Sequence, residues 1–234
     1  MIMANNMTMA THIEQRRIRS KAAARLLALF ALPLITLLAA NSVALAQEKL
    51  HIVVFGDSLT AGFGLPADAA FPAQLAAALK NKGRDVRMTN AGVSGDTTSG
   101  GLARFDWAVP QDTDAVILEL GANDALRGVS PKIARANLDA ILSKLSARRI
   151  PVLIAGMRAP ANWGADYVTE FNAMFAALAA KHQSLLYPFF MEGVIDRPKL
   201  KLADALHPNQ AGVAEIVKRI LPLVEQLLQR AAAR

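Results

Sequence analysis

The chain has 234 residues, 53% of them hydrophobic, no cysteine and a formal net charge of +7. Such a length suits one globular domain with a sizeable core, or two small ones at most, and the apolar content excludes a disordered chain. The absent cysteines exclude a disulfide scaffold, a thiolate metal site and a lipoprotein-type lipid anchor, which is built on a cysteine.

The charge is unevenly placed along the chain. Arg16, Arg17, Arg19, Lys21 and Arg25 stand against one acid, Glu14, ahead of the first long apolar run. Residues 26–40 then read LLALFALPLITLLAA, with Thr36 the only polar side chain, and Ala44 and Ala46 fill two small positions before Gln47. A basic region, an apolar core and a small-x-small site are the parts of a secretory signal peptide. Residues 1–46 are therefore expected to be cleaved after Ala46, leaving residues 47–234 as an exported, periplasmic or secreted domain. The competing reading is an uncleaved anchor. A spanning helix needs about 20 apolar residues; residues 26–46 only just reach that, and Pro33, Asn41 and Ser42 weaken them. Met7 and Met9 are alternative starts. Without residues 1–46 the basic residues fall from 26 to 21 and the acids from 19 to 18, which leaves +3. That balance points to a mildly basic domain with no stable membrane anchor, not to a nucleic-acid binder.

From Leu50 onward, β-rich runs alternate with helical stretches. His51 to Phe55 is a continuous apolar run stopped by Gly56, as a strand buried on both faces should be. Residues 67–80 are Ala/Leu-rich and predict a helix, residues 85–90 a weaker strand, and residues 114–120 a second strong strand stopped by Gly121. Pro131 to Arg149 is an amphipathic helix with proline at its start, and residues 151–157 a buried strand. A helix over residues 166–182, a short strand over 184–187 and a closing helix over 210–230, which Pro222 can kink, complete the pattern. Strand–helix alternation of this kind implies one α/β domain, a doubly wound parallel sheet between helical layers. Ligands of such sheets bind at the carboxyl ends of the strands.

The loops at those ends carry the chemistry-bearing residues. Gly56-Asp57-Ser58 places a serine two residues beyond a buried strand. Residues 90–97, Asn-Ala-Gly-Val-Ser-Gly-Asp-Thr, can turn the chain and expose backbone N–H groups, ahead of a helix capped by Thr97 or Thr98. Asn123, in Gly121-Ala122-Asn123-Asp124, carries an amide able to donate to an oxyanion. Asp204 and His207 stand three apart before a helix, a spacing that can put a carboxylate on imidazole Nδ1 and leave Nε2 as a base. Each loop alone is also explained by ordinary turn and capping chemistry. Together they supply what a serine hydrolase needs, because a hydroxyl is a poor nucleophile without a base and its oxyanion needs fixed donors. The other histidines are poorer candidates: His12 lies in the removable segment, His51 starts a strand and His182 ends a helix.

GDSLTAG, the SGDT run, GAND and DALHPN resemble, in order, the four sequence blocks of the SGNH (GDSL) hydrolases, and they span Gly56 to Asn209. Residues 125–128, 160–164 and 188–192 further resemble the periplasmic multifunctional thioesterase/protease/lysophospholipase subgroup. The resemblance implies a three-layer flavodoxin-like fold with strand order 2-1-3-4-5. It also implies Ser58 as nucleophile, His207 as general base, Asp204 as its orienter, and Ser58 N–H, Gly95 N–H and Asn123 as oxyanion donors. Ala122 departs from the subgroup's glycine at that place. The expected reaction is hydrolysis of acyl esters, thioesters or lysophospholipids through an acyl-enzyme, by a monomer without metal or cofactor. Leu126, Pro160 and Trp163 are the expected acyl groove, with ordinary loop packing as the alternative. A carbohydrate O-deacetylase would use the same machinery in a polar pocket, and an inactive secreted binding protein would lack one of its members.

Overall fold

The computed structural model describes residues 49–234. The expected signal segment, its cleavage point and His12 lie outside the described residues.

The apolar runs form the strands β1 (His51–Gly56), β2 (Arg87–Gly92), β3 (Ala115–Glu119), β4 (Val152–Ala155) and β5 (Leu185–Tyr187). All pair in parallel, in the order β2-β1-β3-β4-β5. Each strand must therefore be followed by a crossover, and the helices supply it. They are α1 (Ser58–Ala61), α2 (Phe71–Asn81), α3 (Thr98–Ala108), α4 (Ala122–Leu126), α5 (Pro131–Ala147), α6 (Ala165–Lys181) and α7 (Gln210–Ala232). α2 packs on α7, while α3 packs on α5 and α5 on α6, so the sheet lies between two helical layers. β1, β3 and β4 are buried along their whole length, the consequence of helices on both faces, whereas the edge strand β2 is only half-buried.

The elements follow the sequence pattern with shifts at their ends. The helix expected over residues 67–80 divides into a 3-10 turn at Ala67–Ala69, an extended Ala70 and then α2. Pro72 accounts for this, because its ring would strike the carbonyl four residues back if the helix ran on unbroken. β2 begins two residues later than expected, at Arg87. α3 starts at Thr98 with Thr97 as its cap, accepting from the Gly100 N–H at 3.3 Å. The GAND run forms the short helix α4, with Gly121 at φ +122° as its entry. α7 runs through Pro222 to Ala232.

Register positions the site. Gly56 pairs with Gly92 on one side and with Glu119 on the other, so β1, β2 and β3 end level. The loops carrying Ser58, Gly95 and Asn123 leave the sheet from that common edge. Gly56 is required there by close approach. A Cβ would stand 2.4 Å from Thr60 Oγ1 and 2.7 Å from Glu119 Oε2, so any side chain would push α1 off the sheet.

Candidate active site

Ser58 is the first residue of α1 and is 8% exposed. Its N-cap is Asp57, whose Oδ1 accepts the Leu59 N–H at 3.0 Å. The first N–H groups of a helix have no intrahelical acceptor, and none of the described hydrogen bonds uses the Ser58 N–H. His207 arrives from the loop before α7: its Nε2 lies 2.9 Å from Ser58 Oγ, and its Nδ1 lies 2.7 Å from Asp204 Oδ2. With Nδ1–H donated to the carboxylate, Nε2 is left with a lone pair directed at the hydroxyl. Asp204 Oδ1 also accepts the N–H groups of Leu206 and His207, at 2.9 and 3.0 Å. Those two backbone bonds, followed by the imidazole, hold the Asp204 carboxyl down at about 2. It is an anion at any pH at which the imidazole could act as a base.

The remaining predicted residues meet at the same edge. Gly95 sits at φ +80°, a left-handed conformation that a side chain would strain, and its carbonyl accepts from Arg127 Nη2 at 2.9 Å. None of the described hydrogen bonds uses the Gly95 N–H. Asn123 donates through Nδ2 to Asp57 Oδ2 at 3.1 Å, which leaves its second amide hydrogen unassigned. Ser58, Gly95, Asn123 and His207 all line one cavity of about 550 Å³. Its walls are apolar, with Phe63, Leu126, Met157, Pro160, Phe189 and Met191 contributing, and Arg158 and Asp196 also reach it. The structure thus brings Leu126 and Pro160 to the site but not Trp163. The indole of Trp163 packs over Gly128 and lies 5.9 Å from the Tyr167 ring, outside the cavity lining.

Several residues that shape the site went unnoticed in the sequence. Phe63 lies against His207 with ring centroids 4.5 Å apart. Arg104 donates to Asp96 Oδ2 at 2.6 Å and to the carbonyls of Ala91 and Gly56 at 2.8 and 2.9 Å, tying β1, β2 and the Gly95 loop together. Asp124 accepts the N–H and hydroxyl of Thr98 at 2.8 and 2.7 Å, tying α4 to α3. Beneath Ser58 lie two fully buried carboxyls, Asp57 and Glu119. Burial pushes Asp57 up to about 6 and Glu119 well above the usual carboxylate range, the latter raised further by the neighbouring Asp57. Only the GDS and GAND motifs hinted at this layer, since motifs advertise residues that face substrate and not those that support them. Among the described residues no cluster of three or more His, Cys, Asp or Glu is placed to hold a metal ion.

Comparison with known proteins places the chain in a family. The model of the GDSL-like lipase/acylhydrolase family matches residues 54–214. An arylesterase of Vibrio mimicus is 41% identical over 180 residues, covering 75% of this chain and 89% of the relative. Thioesterase 1/protease 1/lysophospholipase L1 of Escherichia coli strain K12 is 38% identical over 178 residues, covering 74% and 84%. The crystal structure of AlinE4, an SGNH-hydrolase family esterase, superposes with a TM-score of 0.66 at 47% identity, covering 77% of this chain and 97% of that one. With the sheet order, the ordered motifs and these relatives in agreement, the chain belongs to the GDSL-like lipase/acylhydrolase family, the SGNH hydrolases, and is an ester hydrolase.

Proposed function

We propose that the protein is a serine esterase that transfers acyl groups from esters and thioesters to water through an acyl-enzyme on Ser58. The observation that carries this reading is the contact of 2.9 Å between His207 Nε2 and Ser58 Oγ at the mouth of an apolar cavity of about 550 Å³. His207 takes the Ser58 proton as the oxygen attacks the acyl carbonyl, Asp204 holds the imidazole in the required tautomer, and the oxyanion is met by Ser58 N–H, Gly95 N–H and the Asn123 amide. His207 then protonates the departing alcohol or thiol, and water repeats the cycle. Leu126 and Pro160, with Phe63 and Phe189, form the acyl wall. An alkyl chain buried there gains about 0.8 kcal/mol per CH₂, which favours medium and long acyl groups, including those of acyl thioesters and lysophospholipids. The acting unit is the exported domain, residues 47–234, and one chain supplies every group of the site. No described helix is long and apolar enough to cross a membrane.

A p-nitrophenyl ester series from acetate to palmitate, run beside acyl thioesters and lysophospholipids, tests the reading. The expected profile rises with chain length and then levels, with Ser58→Ala inactive on every substrate and still folded. A profile peaking sharply at acetate would overturn the acyl wall and favour a deacetylase; a Ser58→Ala variant with wild-type rates would overturn the nucleophile.

A further inference from the structure

The reaction as derived uses one carboxylate, Asp204, yet two more lie sealed beneath the nucleophile. Asp57 and Glu119 are 0% exposed, and the Asp57 N–H donates to Glu119 Oε2 at 3.2 Å. No cation among the described residues forms a salt bridge with either. Arg104, which bonds the Gly56 carbonyl next to Asp57, pairs with Asp96 at 2.6 Å, and its other nitrogens are taken by the carbonyls of Ala91 and Gly56. Two adjacent carboxylates without a cation cannot both stay ionised out of water. Their surroundings assign the charge. Asp57 accepts two N–H donors, from Leu59 and from the Asn123 amide, whereas Glu119 accepts one and its Oε1 has no partner in the described structure. The carboxyl with more N–H donors is the better-stabilised anion, so the charge rests on Asp57 and the proton on Glu119.

We propose that Asp57 and Glu119 are positioning residues for the hydrolysis, a carboxyl pair with Asp57 ionised and Glu119 protonated, through which Asp57 fixes the plane of the Asn123 amide. One amide hydrogen is held by Asp57 Oδ2 at 3.1 Å, so the other is directed into the cavity that Asn123 and Ser58 both line. Glu119 supplies the proton that lets Asp57 remain an acceptor in a dry site. The same Asp57 caps α1 through its other oxygen, Oδ1, a bond that an asparagine keeps. The pair thus serves the Asn123 donor without touching substrate. The inference rests on the reading of Asn123 as an oxyanion donor.

A double-mutant cycle separates the two claims. Asn123→Ala alone is expected to lower kcat about 10²- to 10³-fold with little change in KM. Asp57→Asn alone is expected to lower kcat about 10- to 100-fold, because an amide has one acceptor oxygen for two donors: with it kept on the Leu59 N–H, an NH₂ faces the Asn123 amide and cannot accept from it. In the Asn123→Ala background the same change should cost less than about 3-fold, since its effect has already been removed. An Asn123→Ala variant with wild-type kcat would overturn the oxyanion reading, and the inference with it. Equal losses from Asp57→Asn in both backgrounds would overturn the inference alone. Glu119 is read separately: Glu119→Met should lower kcat about 10-fold, and Glu119→Gln, which keeps a donor on a neutral side chain, should restore most of that loss. Equal losses in the two variants would show that Glu119 only fills space.

Discussion

Ser58 stands where β1 passes into α1, over carboxyls that are 0% exposed, whereas His207 and Asp204 ride on a loop with side chains 14% and 37% exposed. The nucleophile side is assembled from three strands ending level, cross-tied by Arg104, Asp124 and Asp57. The base side is assembled almost wholly from neighbours in sequence. Asp204 accepts from Leu206 and His207, the Leu202 N–H donates to the His207 carbonyl at 2.8 Å, and Lys201 bridges Pro208. A nucleophile and its oxyanion donors must agree in position with one another, and a rigid sheet edge achieves that. A base needs only the right tautomer and reach, which a short turn supplies.

The largest difference between the two sides should appear in catalysis. His207→Ala removes the base and is expected to lower kcat about 10⁴-fold or more, while Asp204→Asn keeps a side chain that can still bond the turn. Because Asp204 is 37% exposed, water can partly replace its charge, and its loss should stand at least 10-fold short of the His207 loss, on the order of 10²–10³. Single-turnover acylation with p-nitrophenyl butyrate measures both. Equal losses would mean that the loop carboxylate is as essential as a buried one and would break the comparison.

The same contrast explains what could be read from the sequence. The sheet was legible because β1, β3 and β4 are covered on both faces, which forces unbroken apolar runs such as Ile52 to Phe55. The half-buried β2 carries a weak pattern, and its start was misplaced by two residues. Asp204 and His207 were legible because their partnership is local, three residues apart. Glu119 was not. It falls inside the apolar run of a buried strand, and its partner Asp57 lies 62 residues away. Trp163 was assigned to the groove by its place after β4, but its ring turns to Gly128 and Tyr167, a choice made by packing between loops that no periodicity encodes.

A second effect concerns stability. A carboxyl that titrates near 6 in the fold and near 3.8 in the unfolded chain binds its proton more tightly when folded, so the native state loses stability as pH rises between those values. The cost reaches on the order of 3 kcal/mol above pH 6, and it belongs to the nucleophile side alone. Asp204 has the opposite sign: held at about 2, it stabilises the fold above its ordinary value and loses that contribution as pH falls toward 2. Glu119, raised well above its ordinary range by burial and by Asp57, has the same sign as Asp57, and Glu119→Gln removes its share while leaving Asp57 and Asp204 in place. The variant's melting temperature relative to wild type should therefore improve as pH is raised from 4.5 to 8. A difference that stays flat across that range would show the carboxyl pair to be ionised or neutral throughout.

On the base side the corresponding test is Asn209. Its side chain caps α7 by accepting the Gly212 N–H at 3.0 Å and donates to the carbonyls of Lys199 and Lys201 at 2.9 and 3.2 Å. Asn209→Ala loses the cap and those bonds, a cost of about 1–2 kcal/mol. For a domain of this size that is about 4 °C in Tm. Activity should fall with it, because the bonds that disappear are those that join the His207 loop to α7. Thr97→Ala, which removes the cap of α3, is the matching change beside the Gly95 loop, and there the Asp124 bonds to Thr98 remain in place. A larger activity loss for Thr97→Ala than for Asn209→Ala would reverse the ranking of rigid and loose sides.

The smallest effect comes from Ala205, which sits between the orienter and the base at φ +59°. An L-residue in that region is strained by about 1–2 kcal/mol, because its Cβ crowds the following carbonyl. Glycine relieves the strain but gives the unfolded chain more freedom, which returns about 0.5–1 kcal/mol of the gain. Ala205→Gly is therefore expected to stabilise the protein slightly, by about 0.5 kcal/mol. The turn itself should persist, since Asp204 Oδ1 still accepts from Leu206 and His207 and the Ala205 N–H still donates to the Leu202 carbonyl at 3.0 Å. Unchanged kcat with a small rise in Tm would mean that these bonds, and not the alanine, define the turn. A fall in kcat would mean that the strained alanine narrows the positions open to His207, and that the exposed side of the site is held more tightly than its hydrogen bonds alone convey.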